Sequence, residues 1–529
     1  MKIPEHTDQL PDDIQKLKNL VRSLSSDLQD SQSQQEKIES ENRRLQERVT
    51  LLEMYLYARK SEKITAEDKR QGLLFDEAEA SGNEDNPPEN DDDIEEYRPK
   101  KSPSKGRKPL PDNIPRETVI HDVPLEEKIC PCCGEKRPEL KSEISQELIY
   151  IPAEIKVREH VKLKYGPCKC QEFRESKRSP IITGKADPRI LPGSIASASL
   201  LSFIITGKFC DALPFYRHER IFKRLGIDIS RTNMCNWSIH TASKCSALID
   251  LMREKTREGP LINMDETTLQ VLKEPGKAVD SKSYMWVSVG SDSGHKIVLF
   301  NYSQTRKAQV ALNLLSGFKG SLQTDGYAGY NAARKEYGLW HVGCLAHIRR
   351  KFIESAKATR SGGQANKALK YISKLYRIEK TLRNEDLSPE EFIESRKRQA
   401  IPVLKEFHKW LKEREVKAVS SLAFGAAVSY ALSEYIKIVR YLKYEYLTPD
   451  NNIAENAIRP FVIGRRNWLF SDTPKGAHAS AALYSLVETA KANGLEPAKY
   501  LYYIFENIPL VSQKKDLEKL LPWNVQMKS

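Results

Sequence analysis

Residues Leu261–Thr268 read LINMDETT, and this stretch decides the fold. An apolar run interrupted by an acid predicts a buried strand, with the Asp265 side chain facing the end of the neighbouring strand. A second short strand is predicted in Ser321–Tyr327 (SLQTDGY), which again ends at an acid, Asp325. The glycine that follows lets the chain turn away at once. Because an unpaired carboxylate is costly to bury, an acid inside an apolar segment indicates a functional residue rather than a solvated surface charge.

A third acid, Glu455, lies in Asn451–Pro460 (NNIAENAIRP), whose apolar residues fall on one helical face. We predict that this helix packs over the two strand-end aspartates and completes a three-acid site. Like charges that lie close together raise each other's pKa, so the site calls for cations. Two Mg²⁺ (or Mn²⁺) ions suit the oxygen ligands of Asp265, Asp325 and Glu455. Such a pair activates a water or a 3′-hydroxyl and stabilises the leaving oxygen of a phosphodiester.

The segments between the first two acids follow a recognisable order. Strands are predicted at Tyr284–Gly290 and Lys296–Phe300, then a helix near Thr305–Leu315, before the strand that ends at Asp325. A strand, a strand hairpin, a helix and a strand with a terminal acid is the order of a ribonuclease H-like core. The predicted fold is therefore a multidomain α/β protein with a mixed sheet.

Two longer motifs give the sequence a specific resemblance. They are Asp325–Tyr330 (DGYAGY) with Cys344–Phe352 (CLAHIRRKF), and Asn451–Pro460 with Gly464–Phe470 (GRRNWLF). In these motifs the chain resembles bacterial DDE transposases of the insertion sequence 66 family, over nearly its whole length. The resemblance implies a DNA transposase with a ribonuclease H-like fold. It also implies that companion proteins encoded by the same element assist.

Composition fits a protein that binds a polyanion. The 529 residues include 85 basic and 72 acidic residues, for a net charge of +13. The amino terminus lacks the apolar core of a signal peptide, and no apolar run of membrane-spanning length occurs. Nine cysteines are too few and too clustered for a secreted disulfide scaffold. We expect a soluble protein of the bacterial cytoplasm, associated with the nucleoid.

The amino-terminal segment predicts a coiled coil over residues 1–60, followed by a linker over 61–110. A heptad repeat places apolar residues at positions a and d, namely Ile14, Leu17, Val21, Leu24, Leu28, Ile38, Leu45, Val49, Leu52 and Leu56. Asn42 at an a position favours two parallel strands, hence a dimer. The alternative is one amphipathic helix packed on its own chain. The linker is acidic, then basic, and its basic arm either binds DNA phosphates or is a solvated tether.

Clustered cysteines predict a zinc-binding module over residues 111–185. Cys130, Cys133, Cys168 and Cys170 are assigned to one structural Zn²⁺, because a closed shell of four thiolates is structural. The second pair is one residue short of Cys-x-x-Cys, so Cys132 or His160 can substitute as a ligand. Buried cysteines without a metal are the alternative. The family resemblance includes a zinc-binding segment here.

A helical, helix-turn-helix-like domain is predicted over residues 186–255. One helix ends at Gly226, and Ser230 caps the next. The second helix would offer Arg231, Asn233 and Asn236 to a major groove of DNA. Helix pairs of this kind also occur in proteins that never bind DNA.

The rest of the chain completes the predicted architecture. The core begins with residues 256–355, is interrupted by an all-α insertion (356–447), resumes with a helix carrying the third acid (448–478) and ends in a helical tail (479–529). Further DNA contacts are assigned to His347, Arg459, Arg465, Arg466 and Trp468, through phosphate clamping or base stacking. Cys344 and His347 share a helix face. They are either core residues, half of a metal site or, for His347, a contact to a DNA strand.

The sequence therefore predicts a DDE-type transposase, at least dimeric, that binds terminal inverted repeats and cleaves and transfers DNA strands with Mg²⁺. The catalytic residues are Asp265, Asp325 and Glu455. Three rivals are a catalytically inactive DNA-binding regulator derived from such an element, a coiled-coil scaffold, and a nuclease that cuts without joining.

Overall fold

The computed structural model describes residues 14–57, 154–165, 182–358, 363–416 and 422–525. The chain forms two compact units, one of Met1–Gly82 with Asp187–Ser529 and one of Asn83–Ala186. In the second unit, strand β1 (Lys164–Tyr165) pairs antiparallel with β2 (Ile182–Thr183). The predicted zinc ligands and the linker lie outside the described residues.

The amino-terminal heptad segment is one long helix, α1 (Ile14–Tyr57). Six of its predicted a and d side chains are exposed in the single chain, namely Ile14, Val21, Leu28, Ile38, Leu45 and Val49. Glu47 accepts a hydrogen bond from the Ala423 N–H at 2.9 Å, so the helix also contacts a later part of its own compact unit. The predicted helix is confirmed, and the exposed stripe is the surface that a second coiled-coil strand would cover.

In the described residues 182–258, four helices lead up to the sheet, and they include the predicted helix pair. They are α2 (Ala198–Phe209), α3 (Phe215–Arg224), α4 (Arg231–Lys244) and α5 (Ser246–Glu258). Gly226 ends the first helix of the pair with φ +78°, a conformation that favours glycine. The Ser230 hydroxyl caps the second by accepting a bond from the Asn233 N–H at 3.2 Å. Both predicted boundaries are confirmed.

The central element is a five-stranded mixed sheet. Its strands are β3 (Leu261–Gln270), β4 (Lys282–Asp292), β5 (His295–Ser303), β6 (Ser321–Gln323) and β7 (Trp340–Val342). They lie in the order β5-β4-β3-β6-β7, with the β3–β4 and β4–β5 pairs antiparallel and the β3–β6 and β6–β7 pairs parallel. Helices α6 (Ala308–Leu315) and α7 (Tyr330–Tyr337) flank β6 in the sequence.

The segment predicted as an all-α insertion is helical in its described residues. Helix α8 (Leu345–Ala358) is followed by α9 (Gly363–Arg383), α10 (Pro389–Glu415) and α11 (Ala423–Val439). These helices share one apolar core with Val342 of β7. A buried ion pair also joins them, because Arg396, which is 0% exposed, donates to Glu379 at 2.7 Å. The insertion therefore packs against one end of the sheet.

The last helices pack on the sheet and on the helices that precede it, and α13 lies along the edge strand β5. They are α12 (Asn452–Trp468), α13 (Pro474–Ala492), α14 (Pro497–Asn507) and α15 (Lys514–Glu518). The hydroxyl of Ser485 on α13 accepts a bond from the Phe300 N–H at 2.8 Å, and that of Thr489 accepts one from the Val298 N–H at 3.0 Å. The backbone of edge strand β5 is thereby satisfied by side chains.

Three predicted domain boundaries differ from the structure. The boundaries at 255, 355 and 478 fall within α5, α8 and α13 respectively. Each of these helices packs on the sheet or on neighbouring helices along its length. The helix continues across the predicted boundary because its apolar face is buried on both sides of it. None of the helices in the described parts of the chain is long and apolar enough to cross a membrane.

Candidate active site and DNA-binding surface

The first predicted acid, Asp265, lies in the middle of the central strand β3, opposite Val287 of β4. One of its carboxylate oxygens accepts a bond from the Glu266 N–H at 2.8 Å. Burial raises the pKa of Asp265 well above its usual range, and the charges of Glu266, Glu455 and Asp325 raise it further. Asp325 and Glu455 therefore lie within electrostatic range of Asp265.

The second acid, Asp325, follows β6 by two residues. Its Oδ1 accepts a bond from the Tyr327 N–H at 3.0 Å, and its Oδ2 lies 3.9 Å from the guanidinium of Arg306. The turn after Asp325 needs glycine, because a Cβ at Gly326 would lie 2.5 Å from the Tyr430 hydroxyl. Asp325 is therefore held at the strand end by the backbone N–H of Tyr327 and by the positive charge of Arg306.

The third acid, Glu455, lies in the first turn of α12, where the positive end of the helix favours a carboxylate. Its Oε2 forms an ion pair with Arg350, and its Oε1 lies 3.4 Å from the Nδ1 of His347. Burial, and next the charge of Arg350, lower the pKa of His347 to about 4, so this ring is neutral at pH 7. Sequence reasoning missed Arg350, although its spacing of three residues from His347 puts both on one face of α8.

A network of buried side-chain amides joins the three segments that carry the acids. Asn263, two residues before Asp265, donates to Gln323 at 3.3 Å and to Asn451 at 3.0 Å. Asn451 donates in turn to the Met264 carbonyl at 2.8 Å. Asn263 and Asn451 are 2% and 0% exposed, and Gln323 is 0% exposed. The network fixes strands β3 and β6 and the start of helix α12 relative to one another. No pattern in the sequence indicated this network.

A fourth acid, Glu266, follows Asp265 on β3 and lies opposite Trp286 of β4. Its carboxylate accepts bonds from Arg306 Nε at 2.6 Å and from the Tyr330 hydroxyl. Burial raises the pKa of Glu266, and the bond from Tyr330 opposes that rise. Glu266 is thus engaged by its own partners, although Arg306 also reaches towards Asp325.

Cys344 and His347 approach Glu455 closely. One ligand atom from each of these three residues lies within 4.8 Å of the others. Three ligands are one short of a closed tetrahedral zinc shell. The Cys344 sulfur already accepts a bond from the Asn451 N–H at 3.2 Å, and burial raises the pKa of its thiol well above the usual range. In this structure Cys344 belongs to the buried polar network.

The predicted recognition helix α4 presents its first turn to solvent. Arg231, Asn233 and Asn236 are all exposed. The Arg231 N–H donates to Glu219 of α3 at 3.1 Å, which links the two helices of the pair. Asn233 and Asn236 also line an open cleft of about 630 Å³ between α4 and residues 190–195. These side chains are free to contact a ligand such as DNA.

Of the predicted arginines of α12, Arg465 contacts β3. Arg465 donates to the hydroxyls of Thr267 and Thr268, both at 3.2 Å. Arg466 is exposed and Arg459 is partly exposed.

Trp468 is placed differently from the prediction of a stacking platform. Its ring packs edge-on against Phe461 with centroids 5.5 Å apart, and the Lys208 ammonium lies 5.3 Å from its centroid. Trp468 therefore contributes to the packing between α12 and α2.

Acidic side chains gathered on a mixed sheet, beside exposed arginines, are typical of proteins that process nucleic acids. Comparison with known families identifies this one: the Transposase IS66 family matches residues 193–479, and the chain belongs to that family. Three further matches cover other parts of the chain. They are the IS66 C-terminal element at 485–523, the zinc-finger binding domain of transposase IS66 at 127–171, and the Transposase C of IS166 homeodomain at 44–119.

These matches confirm the predicted family resemblance and give a transposase with DNA-binding, zinc-finger and leucine-zipper-like parts. Two similar proteins come from Sinorhizobium fredii (strain NBRC 101917 / NGR234). Uncharacterized protein y4qI is 28% identical over 550 residues, covering 97% of each chain. Uncharacterized protein y4jD is 26% identical over 533 residues, covering 98% of this chain and 97% of its own.

Proposed function

We propose that this chain is a DDE transposase with a ribonuclease H-like core that binds the terminal inverted repeats of its element, cleaves the DNA ends and transfers them to a target. The observation that carries the proposal is that the charges of Asp325 and Glu455 both contribute to the raised pKa of Asp265. The sheet supports the fold, since three antiparallel strands are followed by two parallel ones on the far side of β3.

The donor set suits hard divalent ions. Asp265, Asp325 and Glu455 offer only oxygen atoms. Burial and the charge of Glu266 raise the pKa of Asp265 most, and the further repulsion by Glu455 and Asp325 is the kind that a cation relieves. Two Mg²⁺ or Mn²⁺ ions held by these carboxylates would supply an activated attacking oxygen and stabilise the leaving oxygen. The amides of Asn263 and Asn451 hold the ligands in register by bonding strand β3 to the start of α12.

Basic residues around the acids are suited to hold DNA phosphates. Arg350 and Arg306 contact Glu455 and Glu266, and both retain partly exposed side chains. Arg459, Arg465 and Arg466 extend the positive surface along α12, and His347 lies beside Glu455 where it can contact a DNA strand. Phosphate contacts position the duplex without reading its sequence.

Sequence recognition is assigned to the helix pair. The exposed Arg231, Asn233 and Asn236 are the side chains that would reach base edges. The zinc segment, with one Zn²⁺ held by Cys130, Cys133, Cys168 and Cys170, supports DNA binding as a folded module. The exposed apolar stripe of α1 supports a dimer, and companion proteins of the element are further partners.

The decisive experiment compares cleavage and binding of duplexes that carry the element's own terminal repeat. Asp265→Asn, Asp325→Asn and Glu455→Gln should each abolish Mg²⁺-dependent cleavage and keep the affinity for DNA. Asp250→Asn, in an exposed acid on α5, is the matched control and should cleave normally. A wild-type chain that binds the repeat and never cuts it would favour the inactive regulator, and cutting without joining would favour a nuclease.

A further inference from the structure

The turn that follows helix α12 has a strained backbone at an exposed residue. Leu469 has φ +64° and ψ −51°, and the Phe470 N–H donates to the Trp468 carbonyl at 2.8 Å. A hydrogen bond between residues two apart across a positive φ defines the γ-turn of the rare, strained hand. A bulky residue persists in such a conformation only where its surroundings enforce it.

Contacts on both sides hold this turn in place. The Leu469 N–H donates to the Arg465 carbonyl at 2.7 Å, which ties the turn to α12. The Ser471 N–H donates to the Gln270 carbonyl at 3.0 Å, which ties it to the end of β3. Trp468 is packed against Phe461, so the tryptophan anchors the turn from inside. The strain is therefore imposed by the frame of the active site.

The turn presents two apolar side chains to solvent beside positive charge. Leu469 is 63% exposed and Phe470 is 42% exposed. The exposed Arg466 lies on the preceding turn of α12, and Arg465 bonds Thr267. The turn itself is bonded to Gln270, which is five residues or about 17 Å along the strand from Asp265. Arginines around an apolar tip complement a nucleic acid, whose phosphates flank its stacked bases.

We propose that Leu469 and Phe470 form an apolar wedge that enters the DNA between two base pairs near the cleavage site and unstacks them. The proposal rests on the proposed function, because it takes DNA as the substrate of the acids. Apolar side chains of other DNA-binding proteins separate base steps in this way, at a cost of a few kcal/mol per step. A rigid, strained turn suits the task because a flexible loop would yield to the base stack.

The test measures base opening and cleavage separately. A duplex that carries the terminal repeat and its flank, with 2-aminopurine placed at the junction, reports unstacking by a rise in fluorescence. The full-length chain with Asp265→Asn should produce this rise without cutting. Adding Leu469→Asn and Phe470→Ser should abolish the rise. The matched control Leu510→Asn changes a leucine that is 60% exposed elsewhere on the surface, and it should leave the rise intact.

Cleavage assays in the otherwise wild-type chain complete the test. With Leu469→Asn and Phe470→Ser, cleavage of a fully paired end should fall about tenfold or more, since unstacking would no longer be assisted. Cleavage of a substrate with an abasic site or mismatch at the junction should recover, because that step is already open. Leu469→Met keeps an apolar tip and should behave as wild type.

Three results would overturn the wedge. The first is an equal loss of cleavage on paired and pre-opened DNA, and the second is a loss with Leu469→Met as large as that of the double variant. The third is a smaller species on sedimentation of the double variant, which would assign the patch to a subunit interface. The proposed function fails differently, through a wild-type chain that cuts none of these substrates. Base opening by the Asp265→Asn chain would still be observed in that case.

Discussion

Replacing Asn451 should destabilise the protein in a way that distinguishes a buried strut from an ordinary helix cap. Asn451 occupies the N-cap position of α12, yet its side chain makes no cap hydrogen bond. It instead donates to the Met264 carbonyl at 2.8 Å and accepts from Asn263 at 3.0 Å. Asn451→Leu keeps the branched shape of the side chain and removes both bonds, leaving buried polar groups of β3 without their partner.

The size of the effect follows from those two bonds. Each buried polar group that loses its partner costs about 1–3 kcal/mol, so Asn451→Leu should lower the free energy of unfolding by about 4 kcal/mol. Asn451→Asp keeps the acceptor, loses the donor to Met264 and adds a charge near Asp265 and Glu455. It should therefore also destabilise, by at least about 2 kcal/mol. Aspartate is a good N-cap residue, so a capping role would make this change nearly neutral.

Urea unfolding followed by tryptophan fluorescence measures both variants. With a slope of about 3 kcal/mol/M, a loss of about 4 kcal/mol moves the midpoint down by about 1.3 M. Asn456→Leu changes an exposed asparagine of the same helix and should stay within about 0.5 kcal/mol of wild type. The reasoning would be refuted by Asn451→Asp unfolding at the wild-type midpoint.

Three further predictions follow from other buried or site residues. Burial, and next the charge of Lys208, lower the pKa of His218 to about 4. As the pH falls, the unfolded chain binds a proton at His218 before the folded chain does. The free energy of unfolding is therefore highest above pH 6.5 and drops by about 3 kcal/mol by pH 4. His218→Phe should flatten this profile in pH-dependent melting curves. Arg396→Met should cost about 3–5 kcal/mol in urea unfolding because it removes the buried partner of Glu379 and leaves only the more exposed Arg383, and adding Glu379→Leu should restore part of the loss. His347→Ala, which removes the ring beside Glu455, should lose strand transfer and keep binding of the terminal repeat, as measured by joining and gel-shift assays; loss of binding as well would place His347 in recognition.

Local sequence patterns predicted most elements of the fold, because they depend on neighbours in the chain. The apolar strand around Asp265, the cap at Ser230 and the turn at Gly226 all lie where propensity and periodicity placed them. The long-range contacts were not predictable in this way. Asn263 and Asn451 are 188 residues apart in the sequence, and Arg350 and Glu455 are 105 apart. Polar side chains of this kind look like surface residues until the fold buries them.

The orientation of Trp468 shows a signal that sequence reasoning could have used. Ala454, Ile458, Phe461 and Gly464 form the buried stripe of α12 at intervals of three or four residues. Trp468 continues this stripe, so the helical period alone favours packing over base stacking. The assignment to DNA followed from residue type and the neighbouring arginines. The two residues beyond the stripe, Leu469 and Phe470, are the ones that reach solvent.

The most direct test of the central claim is to locate the metal. Crystals of the protein soaked in Mn²⁺ would show the ion by anomalous scattering. We predict one or two peaks whose nearest protein atoms are carboxylate oxygens of Asp265, Asp325 and Glu455, at about 2.1 Å. Mn²⁺ bound elsewhere, with these three carboxylates contacting no ion, would contradict the account.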